Sequence, residues 1–376
     1  TRVRSSAASD VYKRQDTGSD KNLTVTKQVL VNGGTLTLNG STCVLGNVEL
    51  SSGTINGDTS NIELDNGDAS GYIWEQTGGT FNYDTSTVVC KESGKHIKGN
   101  NWYNLTISAP AAANTIHWRP ASGGSTDTMT IYGDLLITEG IFRRATITYV
   151  LVVTGDVDIE SGGQFGRTDL SESGANTFGS LTIDSGGTYI ATSGTTTIDA
   201  GSFDNNGTFT HNDGEVVLTL GGSEVKGSST STFYKLESQS YCNINSPINC
   251  EYWLKASGGN SWRLYEDITI TMGTAAVQGQ IITGTTPTKG MRFTQDKTIK
   301  FAASSALKPW IATDGGAGWN IQTTGVIVQL ENGDMQFDFV TDPEPQGDAG
   351  TYQLTGDMEF AAFTVSSGDT LDLNGQ

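Results

Sequence analysis

The chain repeats itself at long range, and this constrains its fold more than any other feature. Gly79-Thr80-Phe81…Val88-Val89…Ile97-Lys98-Gly99 returns at a constant spacing as Gly207-Thr208-Phe209…Val216-Val217…Val225-Lys226-Gly227. After a slip of a few residues the match continues. Trp102-Tyr103-Asn104-Leu105 is answered by Phe233-Tyr234-Lys235-Leu236, Trp118…Ala121-Ser122-Gly123 by Trp253…Ala256-Ser257-Gly258, and Tyr132…Asp134…Ile137 by Tyr265…Asp267…Ile270. Self-similarity at a fixed period marks an array in which each unit buries its apolar face against the next. The units fall at about 16–108, 109–240 and 241–376. The last is incomplete, because Thr370-Leu371-Asp372-Leu373-Asn374-Gly375 echoes Thr35-Leu36-Thr37-Leu38-Asn39-Gly40 just as the chain stops.

Within the units, short alternating runs recur every ten or so residues between Gly, Asn, Asp and Ser, for example at 35–38, 48–50, 62–64, 72–74, 157–159, 181–183 and 268–270. Alternation with a period of two predicts strands with one apolar face. No amphipathic helix is evident. A smaller motif, apolar-x-apolar-x-Ser-Gly, appears at Val48-x-Leu50-x-Ser52-Gly53, Val157-x-Ile159-x-Ser161-Gly162 and Leu181-x-Ile183-x-Ser185-Gly186. Its glycine is expected to turn the chain through a conformation that side chains resist. The spacing of the last two copies suits one coil of a parallel β-helix. The expected fold is therefore all-β, a parallel β-helix or β-solenoid with short strands and Gly/Asn/Ser turns, inward Leu, Ile, Val and Phe, and outward Thr, Ser, Asp and Asn. The alternative is a string of tandem antiparallel β-sandwiches.

Composition bears on partners. The formal net charge is −19, and an acidic surface repels phosphate backbones, which argues against nucleic-acid partners. No window approaches the roughly twenty apolar residues of a membrane helix, so no membrane insertion is expected. Four cysteines are too few for a disulfide scaffold. Cys242 and Cys250 are read either as a local bridge or as small buried hydrophobes. Residues 5–15, SSAASDVYKRQ, resemble a translated sequencing-library adapter. Residues 1–15 are therefore set aside as an artefactual, non-native segment, and the rest is expected to be a fragment of a larger protein recovered from environmental DNA.

The strings NWYNLTIS, TLTLNG, SLTIDSGGTY and TLDLNGQ, with the stretch from Met291-Arg292-Phe293 through Trp310-Ile311 to Trp319-Asn320-Ile321, resemble large β-helical repeat proteins of the bacterial surface adhesin and phage virion (tail-associated) type. That resemblance implies an extracellular, cell-surface or virion location and a structural or adhesive role. It brings no catalytic residues with it.

The function expected is thus a non-catalytic structural or adhesive repeat region, with no cofactor. Its expected partners are cell-surface glycans or other copies in a surface or virion assembly. The alternative is a β-helix polysaccharide lyase or glycoside hydrolase with its site in a coil groove, which needs two carboxylates about 5–10 Å apart. Asp134 and Asp267 recur, but as corner residues bonding turn backbone. His96, His117 and His211 are scattered, with no metal-ligand spacing, and the acidic turns at Asp65-Asn66-Gly67-Asp68 and Asp342-Pro343-Glu344 lack the spaced pattern of a calcium loop. Trp118 and Trp253, recurring together, are expected to pack. Trp262, Trp310 and Trp319, without counterparts, are the candidates for stacking on a sugar.

Overall fold

In the computed structural model the described residues are 22–274, with gaps at 66–70, 93, 111–114, 122–126, 168–171, 258–261 and 265–267, followed by the backbone of strands between 280 and 372. The chain divides into two compact units, Thr1–Leu170 and Ser171–Gln376. Every described element is a strand, and each is a parallel β-solenoid.

In the first unit the chain winds through three sheets per turn. One stacks residues 43–45 on Asn61–Leu64, Thr87–Cys90, Asn104–Ser108 and residues 135–137. A second stacks 48–50 on Tyr72–Gln76, Lys95–Lys98, Thr115–Arg119 and 141–144. The third includes 54–56 on Thr80–Asn82, and Asn101–Trp102 on Thr128–Ile131 on 150–153. Each pairing is parallel because the chain re-enters a face from the same side after one turn. This excludes the antiparallel sandwich. Coils are unequal: Asn104 lies 17 residues beyond its neighbour Thr87, and Asp134 lies 30 beyond Asn104. Extra length is absorbed at the corners, so strand register survives it.

The second unit repeats the scheme. One sheet runs through Thr195–Ile198, Glu215–Leu218, residues 235–238 and 253–256, Gln280–Thr283, Trp310–Thr313 and Gln336–Asp338. A second runs through 181–183, Phe203–Asn205, Glu224–Lys226, Cys242–Ile244 and Trp262–Leu264. The third contains 231–233, 248–250, Ile268–Met272, Thr298–Ala303 and Ile327–Glu331.

Alternation sends every second side chain inward, where pairing in register piles like on like. Cys43, Ile62, Val88, Leu105 and Leu135 form one column, and Leu45, Leu64, Cys90, Ile107 and Ile137 the next. All are buried, and each such side chain contributes about 1.5–3 kcal/mol of apolar transfer. Cys242 and Cys250 are also buried, and both are free thiols. Of the two readings, packing holds. Burial alone pushes the Cys90 thiol up to about 12, which makes it inert as a nucleophile.

The Ser-Gly turns are as the motif predicts: Gly53, Gly162 and Gly186 have φ of 83°, 91° and 89°. At Gly53 a Cβ would also lie 2.5 Å from the Gly34 carbonyl oxygen of the preceding coil.

The long-range repeat is structural only in its first part. Val88 pairs with Leu105, and Val216 with Leu236, so 79–105 and 207–236 form the same piece of coil. Beyond that point the match misleads. Trp118 stacks beside Ile97, but the residue beside Val225 is Ile244, and Trp253 instead pairs with Lys235. Trp118 is buried, 0% exposed, whereas Trp253 is half-buried and outward beside the inward Leu254. The cause is a register shift between Phe233 and Lys235: a one-residue slip exchanges inward and outward positions. The expected packing role therefore holds for Trp118 and fails for Trp253.

Candidate functional site

Trp262 does not stand on the surface. It is 1% exposed, pairs in register with Cys242, and donates its indole N–H to the Lys255 carbonyl at 3.0 Å. A sugar cannot reach it, so its proposed stacking role is withdrawn. The side chain of Trp310 and the whole of Trp319 lie outside the described residues.

The outward aromatic is Trp253, and it has company. Its ring centroid lies 5.0 Å from that of Tyr252. Tyr252 stacks on Tyr234 at 5.4 Å and 14°, and Tyr234 on His211 at 5.9 Å and 20°. The four rings climb from one coil to the next along a corner of the second unit. Near-parallel rings at these separations are the offset-stacked geometry aromatic pairs prefer. The Lys235 ammonium lies over three of them, 4.6 Å from the Trp253 centroid, 5.3 Å from Tyr234 and 5.5 Å from Tyr252. Such cation–π contacts hold the cation and the rings in one arrangement.

The platform follows from the same register shift. Phe233 and Leu236 both point inward although they are three positions apart, so the two residues between them, Tyr234 and Lys235, turn outward. In the paired strand, Cys250 and Leu254 are inward and three residues, Glu251, Tyr252 and Trp253, lie between them. The corner thus presents more outward side chains than plain alternation allows. The irregular inward spacing was readable in the sequence. Which corner it would fall on was not.

Beside the rings is a polar row. Glu215 pairs in register with Lys235, and Glu237 with Lys255. Glu237 is buried, with a carboxylate oxygen 3.2 Å from the Lys255 ammonium, while its other oxygen accepts the Ser257 hydroxyl at 2.8 Å. Burial first, and then the facing Glu237 carboxylate with which it shares a hydrogen bond, hold the Glu215 carboxyl above its ordinary value. His211 reaches the Glu251 carboxylate at 3.4 Å. Half-exposed aromatic rings capped by the Lys235 ammonium, with carboxylate acceptors beside them, suit a hydroxylated ring compound that packs against the outer side of the stack while its hydroxyls bond the rim.

Asp134 behaves as a corner residue. Its backbone N–H donates to Asn104 Oδ1 at 2.9 Å, and its own Oδ1 accepts the Asp156 N–H at 2.9 Å. Asp267 lies outside the described residues, as do Asn66, Gly67, Asp68 and the turn at 342–344. Among the described residues no group of three or more His, Cys, Asp or Glu side chains is placed to hold a metal ion, and no helix is long and apolar enough to cross a membrane.

No family model, curated protein or solved structure matches this chain.

Proposed function

We propose that this chain is a non-catalytic adhesive region of a secreted, cell-surface or virion protein, and that the corner formed by His211, Tyr234, Tyr252 and Trp253 binds a neutral glycan. The observation that carries this reading is the outward ring ladder locked by Lys235. Stacked coils supply the rest: successive strands lie about 4.8 Å apart, and side chains on them are rigidly spaced along the solenoid. The expected result is retardation of the protein in native gels cast with neutral polysaccharide. Trp253→Ala should weaken that interaction by roughly tenfold, about 1.4 kcal/mol, without changing the circular dichroism spectrum. Unchanged retardation in that variant would sink the reading.

The enzymatic alternative draws on one observation, the Glu215–Glu237 pair beside the rings. The two residues lie on adjacent strands, where Glu237 helps to raise the Glu215 carboxyl, whereas hydrolysis of the retaining kind needs two carboxyls free to flank a sugar about 5 Å apart. Glu237 is further tied to Lys255 and Ser257. The pair is better suited to fixing Lys235 and Lys255 than to cleaving a sugar chain. Release of reducing or unsaturated ends from a bound polysaccharide would reverse this judgement.

A further inference from the structure

The first unit carries a second surface of different chemistry. On the sheet through Tyr72–Gln76, Lys95–Lys98, Thr115–Arg119 and 141–144, the outward residues Tyr72, His96, His117 and Arg143 fall in one cross-strand row. The next row is Glu75, Lys98 and Arg119. Two histidines that are scattered in sequence are therefore direct neighbours, with ring centroids 4.8 Å apart, and His96 also lies 5.4 Å from the Tyr72 ring. Arg119 reaches across the row to donate to the Tyr72 hydroxyl at 2.9 Å, its guanidinium 5.7 Å from that ring. Arg143 Nε donates to His117 Nε2 at 2.7 Å.

This surface is positive on a chain of net charge −19. Lys98, Arg119 and Arg143 project from it. Arg167 adds to the field at His117; the acids are Glu75, bridged to Lys98 at 3.7 Å, and Glu49, the register partner of Glu75 at the far edge of the row. Burial and the surrounding guanidinium charges hold both imidazoles in the neutral form, His117 down to about 4. Two polar atoms in the middle of the patch have no hydrogen-bond partner: His96 Nδ1 and Arg119 Nε. Buried polar groups are normally satisfied, and the Arg119 Nε–H, which can only donate, marks a place where an acceptor is missing.

We infer that this patch is the seat of one oxyanion, the carboxylate or sulfate of an acidic sugar, held by Arg119 with the His96 ring and Arg143 beside it. A cation is disfavoured because the His117 Nε2 lone pair is occupied by Arg143 and the neighbours are guanidinium groups. Arginine's planar fork matches the two oxygens of a carboxylate. A long polyphosphate is disfavoured because charge is screened beyond about 10 Å, so past the patch the polymer would run over acidic surface. The inference rests on the glycan reading for the source of the oxyanion, and the seat itself does not.

The chain has only three histidines, so its imidazole NMR resonances form a simple spectrum, in which His211 reports the second unit and His96 and His117 the patch. Sulfate, glucuronate, glucose and an oligothymidylate are titrated at matched ionic strength against sodium chloride. Saturable shifts of His96 and His117 with sulfate and glucuronate and none with glucose are expected, and His211 should stay still with sulfate. Arg119→Gln should weaken both titrations at least tenfold, with unchanged hydrogen exchange of strands 95–98 and 115–119 reporting an intact fold. Shifts that follow chloride equally, or persist in Arg119→Gln, overturn the seat. Response to sulfate alone overturns the sugar as source, and response to the oligothymidylate alone overturns the oxyanion assignment in favour of a polyanion. Trp253→Ala should leave these titrations unchanged, so the failure of the neutral-glycan reading and the failure of this one are separable.

Discussion

Trp253 and Trp262 sit on consecutive strands, the first facing solvent and the second the core, and replacing each by alanine tests the inward–outward assignment directly. Truncating a fully buried tryptophan costs about 3–5 kcal/mol through lost transfer energy and the cavity left behind. Trp262→Ala also removes the donor to the Lys255 carbonyl, and losing one partner of a hydrogen bond adds to the cost. A total of about 4 kcal/mol is expected. Trp253→Ala forfeits one cation–π contact with Lys235 and one ring contact with Tyr252, together about 1 kcal/mol. A solenoid does not unfold as one cooperative block, so a global melting curve is the wrong assay. Amide hydrogen exchange read on peptides spanning 242–256 is local. Exchange there should accelerate roughly a thousandfold in Trp262→Ala and only about fivefold in Trp253→Ala, at tenfold per 1.4 kcal/mol. Equal acceleration in the two variants, or a larger effect at Trp253, would refute the assignment and with it the displaced candidate site.

Two further outcomes follow from the geometry. Gly53→Ala pays for both a left-handed φ and a collision with the Gly34 carbonyl, about 3 kcal/mol, whereas Gly162→Ala, at φ 91° with no atom closer than 4.0 Å to the new Cβ, should cost only the conformational part, about 1 kcal/mol; hydrogen exchange in the flanking strands separates the two. His117 is held below its ordinary 6.5, at about 4, so the unfolded chain takes up this proton first. Its stabilising contribution is complete above pH 6.5 and lost as pH falls towards 4, about 1–2 kcal/mol after allowing for solvent screening. Once the intrinsic pH dependence of amide exchange is divided out, the protection factors of strands 95–98 and 115–119 should fall over that interval in the parent chain and stay flatter in His117→Asn.

What the sequence made legible is what the solenoid enforces on every coil. Alternation at 48–50, 62–64 and 157–159 gave the inward columns, and Ser-Gly gave the corners, because burial and a positive φ each admit few residue types. The repeat was legible as far as Leu105 and Leu236, where strand pairing coincides. It failed beyond because inward positions in a solenoid ask only for an apolar residue, so a matching Trp-x-x-Ala-Ser-Gly-Gly string fits one coil with its tryptophan inward and another with it outward. A single register shift near Lys235 decides between them.

The outward faces were opaque for a related reason. Two residues become neighbours on a face when they are one coil apart, and that spacing varies, from 17 residues between Thr87 and Asn104 to 30 between Asn104 and Asp134. No fixed spacing in sequence can therefore announce a surface cluster. His96 and His117 are paired by register, and Tyr234 and Tyr252 stack across a register shift, neither by a motif. It follows that strand register, and not the length of a corner loop, determines the site. Adding residues at a corner leaves the core columns stacked but changes nothing about which outward rows meet. Adding one residue inside a strand reverses every side chain after it. Insertions at the corners of this solenoid should therefore spare both candidate surfaces, while a single-residue insertion within Ser231–Ser238 or Thr115–Arg119 should abolish the surface built on that strand.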